Sequence, residues 1–371
     1  MLRGIRLDWG RDSGGCAISG IMSEDGRRFG GEAIIRSIAN MHDRSNGLGG
    51  GFAAYGIYPE HAEQYALHMM YDDAAGQSAG EKAILDVCEV HHSEAIPTRP
   101  LEQIRNRPVL VRYFAAVRPE VLKLHYDQNE GDVIVDLVMR INEKVDGAFV
   151  VSSGKNMGIF KGVGYPEDIG SFFRLDEYNA YLWTSHGRFP TNTTGWWGGA
   201  HPFGLLDWSV VHNGEISSYG INRRYLMNFG YHCALQTDTE VIAYLFDLLM
   251  RKHQLPLEAA CKAMAPPFWS QIERMGEEEQ RVIRTLRIVY GGALINGPFS
   301  VLVGRRDGMI GFNDRIKLRP MTAARKDDML YIASEEAAIR VVCKRPDELW
   351  QAEGGVPIVG RLKSVAKPAV A

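Results

Sequence analysis

In the stretch Ser13-Gly14-Gly15-Cys16-Ala17-Ile18-Ser19-Gly20-Ile21-Met22, a cysteine stands between two glycines and an apolar run. The run predicts a buried strand, and the glycines give a pliable approach to it. If residues 1–15 are a leader that is removed, Cys16 becomes the first residue and gains a free α-amino group. Such an amine has a pKa near 7.7–8.0 and can take the thiol proton in place of a histidine. The alternative is a cysteine that acts as a small hydrophobic residue of the core.

The composition is that of an ordinary globular protein. Of 371 residues, 45% are hydrophobic and 23% are charged, which leaves room for one large domain or two smaller ones. A net charge of −3 without a basic block argues against nucleic-acid binding. No apolar run approaches the roughly 18 residues of a membrane span, and residues 1–15 lack the apolar core of a secretory signal. We therefore expect a cytoplasmic protein that contacts neither a membrane nor nucleic acid.

The cysteine pattern predicts neither disulfides nor a metal site. The five cysteines are widely spaced and odd in number, and they form no CxxC motif or Cys/His ligand cluster. The neighbouring His91 and His92 are interpreted as solvated loop residues, because the ligand spacing of known metal sites is missing. We expect a reducing compartment and no metal or cofactor in this chain.

Two later segments change the interpretation of Cys16. The first is Trp183-Thr184-Ser185-His186-Gly187-Arg188-Phe189-Pro190-Thr191-Asn192-Thr193. The second is Val210-Val211-His212-Asn213-Gly214-Glu215-Ile216, followed by Gln236-Thr237-Asp238-Thr239-Glu240-Val241. With Cys16, these motifs resemble the class II glutamine amidotransferases, and most closely the amidotransferase domain of glutamate synthase. The resemblance covers about residues 16–250 with an interruption.

The resemblance implies an α+β fold of the N-terminal nucleophile hydrolase type. In this fold, two antiparallel sheets lie between helical layers in a four-layer αββα sandwich. Short apolar runs predict strands, among them Tyr181–Ser185, Trp208–His212, Phe299–Gly304 and Leu330–Ala333. The clearest helix has Thr237 as N-cap and Glu240 three residues later, which is the pattern of a capping box.

The family's roles in catalysis fall on three residues of this chain. Cys16 would be the nucleophile that attacks the side-chain amide of glutamine. The Asn213 side-chain amide and the Gly214 backbone N–H would stabilise the oxyanion, where one donor contributes about 3–4 kcal/mol. Taken alone, Asn-Gly favours a hairpin turn instead. Arg44 follows the family's pattern only loosely, because serine replaces the usual glycine after it, and is a possible accessory residue near Cys16.

Other residues would bind the substrate. Arg188 suits the α-carboxylate of glutamine because its planar guanidinium makes bidentate contacts, with Thr191 and Asn192 beside it. The alternative for this arginine is a surface ion pair. The resemblance assigns Glu215 and Asp238 to the α-ammonium group, although a carboxylate in the first turn of a helix is also favoured by the helix dipole.

The chain is expected to divide into a leader (1–15), an amidotransferase type 2 domain (16–360) and a flexible tail (361–371). An inserted α+β subdomain is predicted over 62–172, with strands at Pro108–Val117, Ala148–Ser153 and Met157–Gly162 and helices at Val121–Leu124 and Asp132–Val145. The segment Gly195-Trp196-Trp197-Gly198-Gly199 is interpreted as a core or partner contact, with a lid over the glutamine pocket as the second choice.

These expectations together predict a glutamine-hydrolysing subunit that supplies ammonia to a separate glutamate synthase subunit. The FMN and iron–sulfur clusters of that synthase are expected on the partner polypeptides. Two alternatives stay open. The same chemistry can serve another acceptor, such as methylamine in N-methylglutamate synthesis. If the leader stays attached, the chain would be a non-catalytic assembly subunit.

Overall fold

We describe a computed structural model of the protein, which covers residues 15–124, 127–189 and 195–363. The strands are β1 (Ala17–Ser23), β2 (Phe29–Gly30), β3 (Gly50–Tyr55), β4 (Tyr65–Tyr71), β5 (Cys88–Ala95), β6 (Val109–Val117), β7 (Ala148–Ser152), β8 (Met157–Gly162), β9 (Asn179–Ala180), β10 (Leu182–Gly187), β11 (Phe203–Leu205), β12 (Trp208–Gly214), β13 (Phe299–Arg305), β14 (Gly308–Asn313), β15 (Thr322–Lys326), β16 (Met329–Ala333), β17 (Glu348–Gln351) and β18 (Ile358–Arg361). The helices are α1 (Glu32–Ala39), α2 (Ala74–Leu85), α3 (Pro119–Leu124), α4 (Glu130–Lys144), α5 (Pro166–Phe172), α6 (Tyr219–Met227), α7 (Asp238–Phe246), α8 (Leu257–Met264), α9 (Trp269–Ile272), α10 (Glu277–Val289) and α11 (Glu336–Arg340).

Two antiparallel sheets form the centre of the molecule. The first has seven strands in the order β17-β15-β16-β1-β10-β3-β8, and the second has five in the order β11-β12-β13-β14-β18. The sheets pack face to face, with β1 and β10 of the first lying against β12 and β13 of the second. Every residue of β1 is buried, as the apolar run after Cys16 predicts.

Helices cover the outer faces of both sheets. Helices α1, α5 and α11 pack on the seven-stranded sheet, and α7 packs on β11 and β12 of the other sheet, with α6 beside it. The order helix, sheet, sheet, helix confirms the predicted αββα sandwich. The helix predicted at Thr237 is present, and the Thr237 hydroxyl accepts a hydrogen bond from the Glu240 N–H. The predicted capping box is incomplete, however, because the Glu240 carboxylate accepts from the Leu235 N–H instead.

A third sheet lies beside the sandwich. It has the order β5-β6-β4-β7, and helices α2 and α4 pack against it. The sheet falls within the predicted insertion 62–172, whereas β8 and α5, near the end of that range, belong to the seven-stranded sheet and its helical layer. The domain boundaries themselves stay predictions.

The ends of the described chain are attached to the sandwich. The N–H groups of Leu362 and Lys363 donate to the carbonyls of Asp307 and Glu24. Most of the predicted leader and tail, residues 1–14 and 364–371, lies outside the described residues. Within the described ranges, no helix has the length and apolar character needed to cross a membrane.

Candidate active site

Cys16 lies immediately before the central strand β1 and is half-buried, whereas the other four cysteines are buried. The backbone N–H of Phe189 donates to Cys16 Sγ at 3.3 Å. Arg44 Nε donates to the Cys16 carbonyl at 3.3 Å, and Arg44 Nη1 pairs with Glu335 at 2.8 Å. The structure therefore places Arg44 beside Cys16, as expected for an accessory residue.

The charges around Cys16 act on its thiol in opposite directions. Burial raises the pKa of Cys16 above its ordinary value, and the Phe189 N–H and the Arg188 guanidinium act to lower it. The Asp238 carboxylate acts to raise it. The thiol of the chain with Gly15 still attached is thus mainly protonated at neutral pH, and it needs a base to become a nucleophile.

Asn213 and Gly214 lie at the end of β12, on the sheet that faces Cys16. Asn213 Nδ2 contacts Ser334 Oγ at 3.4 Å, and this same oxygen accepts from the Ile18 N–H at 3.1 Å. Asn213-Gly214 is not the centre of a hairpin, because the next element is α6. Gly214 has a φ of +149°, and a Cβ there would overlap the Pro298 carbonyl oxygen, so this position requires glycine.

Arg188 is buried in the site rather than paired on the surface. Its N–H donates to the Gly49 carbonyl at 2.8 Å, and its carbonyl accepts from Ser45 Oγ at 3.1 Å. Burial lowers the pKa of Arg188, while Cys16 and Asp238 act to raise it. The guanidinium therefore interacts electrostatically with both groups, which fits the binding of a substrate carboxylate close to the thiol.

Asp238 opens helix α7 and accepts a hydrogen bond from the Ile216 N–H at 3.2 Å. Burial alone would raise its pKa, but the His212 imidazole and the backbone N–H groups of Ile216 and Thr239 lower it below the ordinary value. The carboxylate is therefore ionised and able to bind a cation. Glu215 lies next to Ile216 with an exposed side chain. Thr191 and Asn192 lie outside the described residues.

A cluster of buried histidines lies behind these residues, and the sequence analysis missed it. The His186 and His201 rings stack with centroids 4.0 Å apart, and His186 Nε2 lies 3.0 Å from the His212 carbonyl. Thr239 Oγ1 joins the cluster to Asp238, at 3.2 Å from His201 Nε2, 3.3 Å from His212 Nδ1 and 3.4 Å from Asp238 Oδ1. Burial lowers the pKa of His186 to about 3, so this ring is neutral. His186 and His212 stand inside the quoted motifs, so the signal was present, but their meeting depends on the fold.

The segment with paired tryptophans connects the site to the third sheet. Trp197 is 7% exposed and packs against Gly162 and Phe172, so it is a core residue and is not available to a partner. Trp196 is 37% exposed and rests on Phe149 of β7.

A buried lysine also holds the segment Gly195–Gly199 in place. The buried Lys161 on β8 donates from Nζ to the Gly198 carbonyl at 2.9 Å. Burial lowers the pKa of this lysine to about 7. The Gly198 carbonyl, the ring of Phe203 at 4.1 Å and the charge of Glu240 offset only part of the cost of burying the ammonium group, since its pKa is still lowered. Of the two tryptophans, only Trp196 can serve as a partner contact.

Among the residues that the structure describes, no three His, Cys, Asp or Glu side chains are grouped so that they could hold a metal ion.

Comparisons with known proteins identify the family of the chain. The profile of the family described as "Glutamine amidotransferases class-II" matches residues 132–346. An uncharacterized protein of Archaeoglobus fulgidus is 51% identical over 360 residues, which cover 96% of this chain and 95% of that protein. The glutamine amidotransferase-like protein GlxB of Rhizobium meliloti is 26% identical over 211 residues, which cover 55% of this chain and 59% of GlxB.

A solved structure, the glutamine phosphoribosylpyrophosphate amidotransferase of B. subtilis, aligns with a TM-score of 0.46 at 15% identity. The alignment covers 93% of this chain and about half, 47%, of that protein. Since the family profile spans more than half of the chain and includes β12 and the start of α7, the chain belongs to the class II glutamine amidotransferases.

Proposed function

We propose that this chain hydrolyses glutamine through a glutamyl thioester on Cys16 and supplies the ammonia to a separate glutamate synthase subunit. The observation that carries the proposal is the convergence on Cys16 of Arg188, Asp238 and the Phe189 N–H, with Asn213 on the facing sheet. This set offers a cation for the substrate carboxylate, an anion for its ammonium group and donors for an oxyanion.

The first half of the reaction forms the thioester. Cys16 Sγ attacks the side-chain carbonyl carbon of glutamine, and its proton passes to the α-amino group that cleavage after Gly15 would create. Asn213 Nδ2 turns from Ser334 to the oxyanion, together with the Gly214 N–H. The amine then returns the proton to the departing nitrogen, so that ammonia leaves as the C–N bond breaks and the C–S bond remains. Water hydrolyses the thioester to glutamate and restores the thiol.

The choice of glutamate synthase as partner rests on the resemblance in residues 188–193 and 212–216. The FMN and iron–sulfur clusters would be on the partner polypeptides, and this chain would contribute the amidotransferase site alone. The exposed face of Trp196 offers an apolar contact near the site, because aromatic side chains are enriched in protein interfaces.

The experiment combines an intact mass with glutaminase assays on the purified full chain. We expect an intact mass that corresponds to a chain beginning at Cys16. Glutamine hydrolysis should be lost in Cys16→Ser, because a hydroxyl is a far weaker nucleophile than a thiol. Cys88→Ser, which replaces a buried cysteine of the third sheet, is the control and should retain turnover. Turnover that survives in Cys16→Ala contradicts the proposal, and a mass that begins at Met1 supports the non-catalytic alternative.

The partner is tested by co-purification. A flavin- and iron–sulfur-containing subunit that accelerates glutamine hydrolysis in the presence of 2-oxoglutarate supports glutamate synthase. Acceleration that requires methylamine instead points to the other acceptor. Full turnover by the isolated chain, unchanged by either addition, would show an independent glutaminase.

A further inference from the structure

Three polar side chains form a row across the five-stranded sheet. Asn213 on β12 pairs in register with Ser300 on β13, which pairs in register with Asn313 on β14. Residues directly opposite each other in an antiparallel sheet project from the same face, so all three side chains lie on the face that carries Asn213. Since Asn213 contacts Ser334 of the other sheet, the row faces the seven-stranded sheet.

All three side chains are fully buried, and each has an oxygen without a partner among the described residues. These atoms are Asn213 Oδ1, Ser300 Oγ and Asn313 Oδ1. A buried acceptor without a donor typically costs about 1–3 kcal/mol, and native proteins contain few of them. Three in one row mark a place where donors are expected.

The row lies beneath the residues around Cys16. At one end, Asn213 reaches Ser334 Oγ, which accepts from the Ile18 N–H. At the other end, Asn313 Nδ2 donates to the Arg319 carbonyl at 3.4 Å. The guanidinium of the same arginine lies 3.5 Å from where a Cβ on Gly15 would be. Strand β1, which begins at the residue after Cys16, packs across β12, β13 and β14.

The shape of the row suits a small donor. The central residue of the row is a serine, which is shorter than the two asparagines that flank it. A protonated amine has three N–H donors, one for each oxygen.

We propose that Asn213 Oδ1, Ser300 Oγ and Asn313 Oδ1 bind the α-amino group that Cys16 gains when residues 1–15 are removed. This inference rests on the proposed function, because it requires the cleaved chain. Contact with the amine orients the Asn213 amide, so that its oxygen faces the amine and its nitrogen faces the oxyanion. Ser300 and Asn313 thereby become further catalytic residues.

Neutral acceptors are suited to a group that must act as a base. A carboxylate in contact with the amine would hold it protonated, whereas amide and hydroxyl oxygens bind it in both protonation states. The charged groups around Cys16 are the cations Arg44, Arg188 and Arg319 and the anions Asp238 and Glu335.

The test is the titration of the Cys16 amine in the purified full chain, by trace labelling with acetic anhydride over a pH series and mass spectrometry of the N-terminal peptide. Asn313→Leu removes an acceptor at similar volume. Because hydrogen bonds to charged groups contribute more than neutral ones, we expect the titration midpoint to fall by about 1–2 pH units. Ser300→Ala should shift it in the same direction and serves if Asn313→Leu does not fold.

Ser152→Ala is the matched control, because Ser152 is also a buried serine whose hydroxyl has no partner in the described chain, and it lies in the third sheet. The Cys16 amine of the Ser152→Ala variant should titrate like that of the unchanged protein. If Asn313→Leu and Ser300→Ala are cleaved before Cys16 and their Cys16 amine still titrates like that of the unchanged protein, the inference is overturned. An ordered water would then occupy the row, and the proposed function would remain intact. A mass beginning at Met1 would overturn both.

Discussion

The Thr239→Val substitution tests the hydrogen-bond cluster behind the site. The change keeps the shape of the side chain and removes its hydroxyl, which is buried and lies within 3.4 Å of two imidazole nitrogens and of Asp238. The other ring nitrogens, His201 Nδ1 and His212 Nε2, have no partner among the described residues. The variant therefore leaves His201 without a hydrogen bond through either ring nitrogen.

The magnitude follows from these contacts. Each buried nitrogen that loses its partner costs about 1–3 kcal/mol, and the distances of 3.2 and 3.3 Å favour the lower end. We expect the free energy of unfolding in urea to fall by about 2 kcal/mol. Asp238 also loses a donor, so the KM for glutamine should rise roughly 2- to 10-fold while kcat changes less.

Thr184→Val is the control for the chemistry of the substitution. Thr184 is a buried threonine on β10 whose hydroxyl has no partner in the described part of the chain, so its loss should be neutral or slightly stabilising. Similar unfolding free energies for the two variants would refute the view that Thr239 organises the cluster. A loss of stability in Thr239→Val without a change in KM would separate the cluster from substrate binding.

Three further outcomes are expected. Arg188→Lys should chiefly raise the KM for glutamine, because an ammonium group cannot make the bidentate contact. Asn213→Ala should chiefly lower kcat, by roughly 100- to 1000-fold. Equal effects of the two substitutions on KM and kcat would show that the roles are misassigned. Burial lowers the pKa of both His68 and His186 to about 3, so the folded state resists their protonation while the unfolded state takes up protons near pH 6.5. The free energy of unfolding should therefore be highest above pH 6.5 and fall toward pH 3, by up to about 1.4 kcal/mol per pH unit for each histidine. His68→Gln should make this dependence on pH less steep in urea unfolding measured over a pH series. An unchanged dependence would show that His68 does not contribute to it. Trp196→Ala should weaken binding of the synthase subunit in pull-down assays but leave isolated glutaminase activity unchanged, and undiminished binding would place the contact elsewhere.

The sequence was informative where local pattern decides the structure. The apolar run after Cys16 became the buried strand β1, and Thr237 capped α7 because its hydroxyl reaches an N–H three residues on. Arg188 and Asp238 act on the Cys16 thiol, and Asn213 contacts Ser334, which also accepts from the Ile18 N–H; their roles in catalysis stay predictions. Helix α5 was not predicted, although Pro166 stands at its first position, where a proline does not interrupt a helix.

The residues that sequence analysis did not find are joined by register rather than by spacing. Ser300 and Asn313 meet Asn213 only because β12, β13 and β14 pair, and 87 residues separate the first pair. His201 reaches Thr239 because β11 and α7 pack together, and Lys161 on β8 reaches Gly198 because the segment Gly195–Gly199 packs against this strand. None of these contacts produces a recognisable pattern in the local sequence, because each of these residue types is also common in solvated loops.

The pairing of β1 also determines when during synthesis the protein can become active. One neighbour of β1 is β10, and the other is β16, which lies more than 300 residues further along the chain. Ser334, which contacts both Ile18 and Asn213, directly follows β16. A nascent chain that has not yet released this last part from the ribosome can pair β1 with β10 but lacks β16 and Ser334. The surroundings of Cys16 are therefore completed only after β16 and Ser334 have been synthesised, and a chain truncated before β16 lacks this part of them.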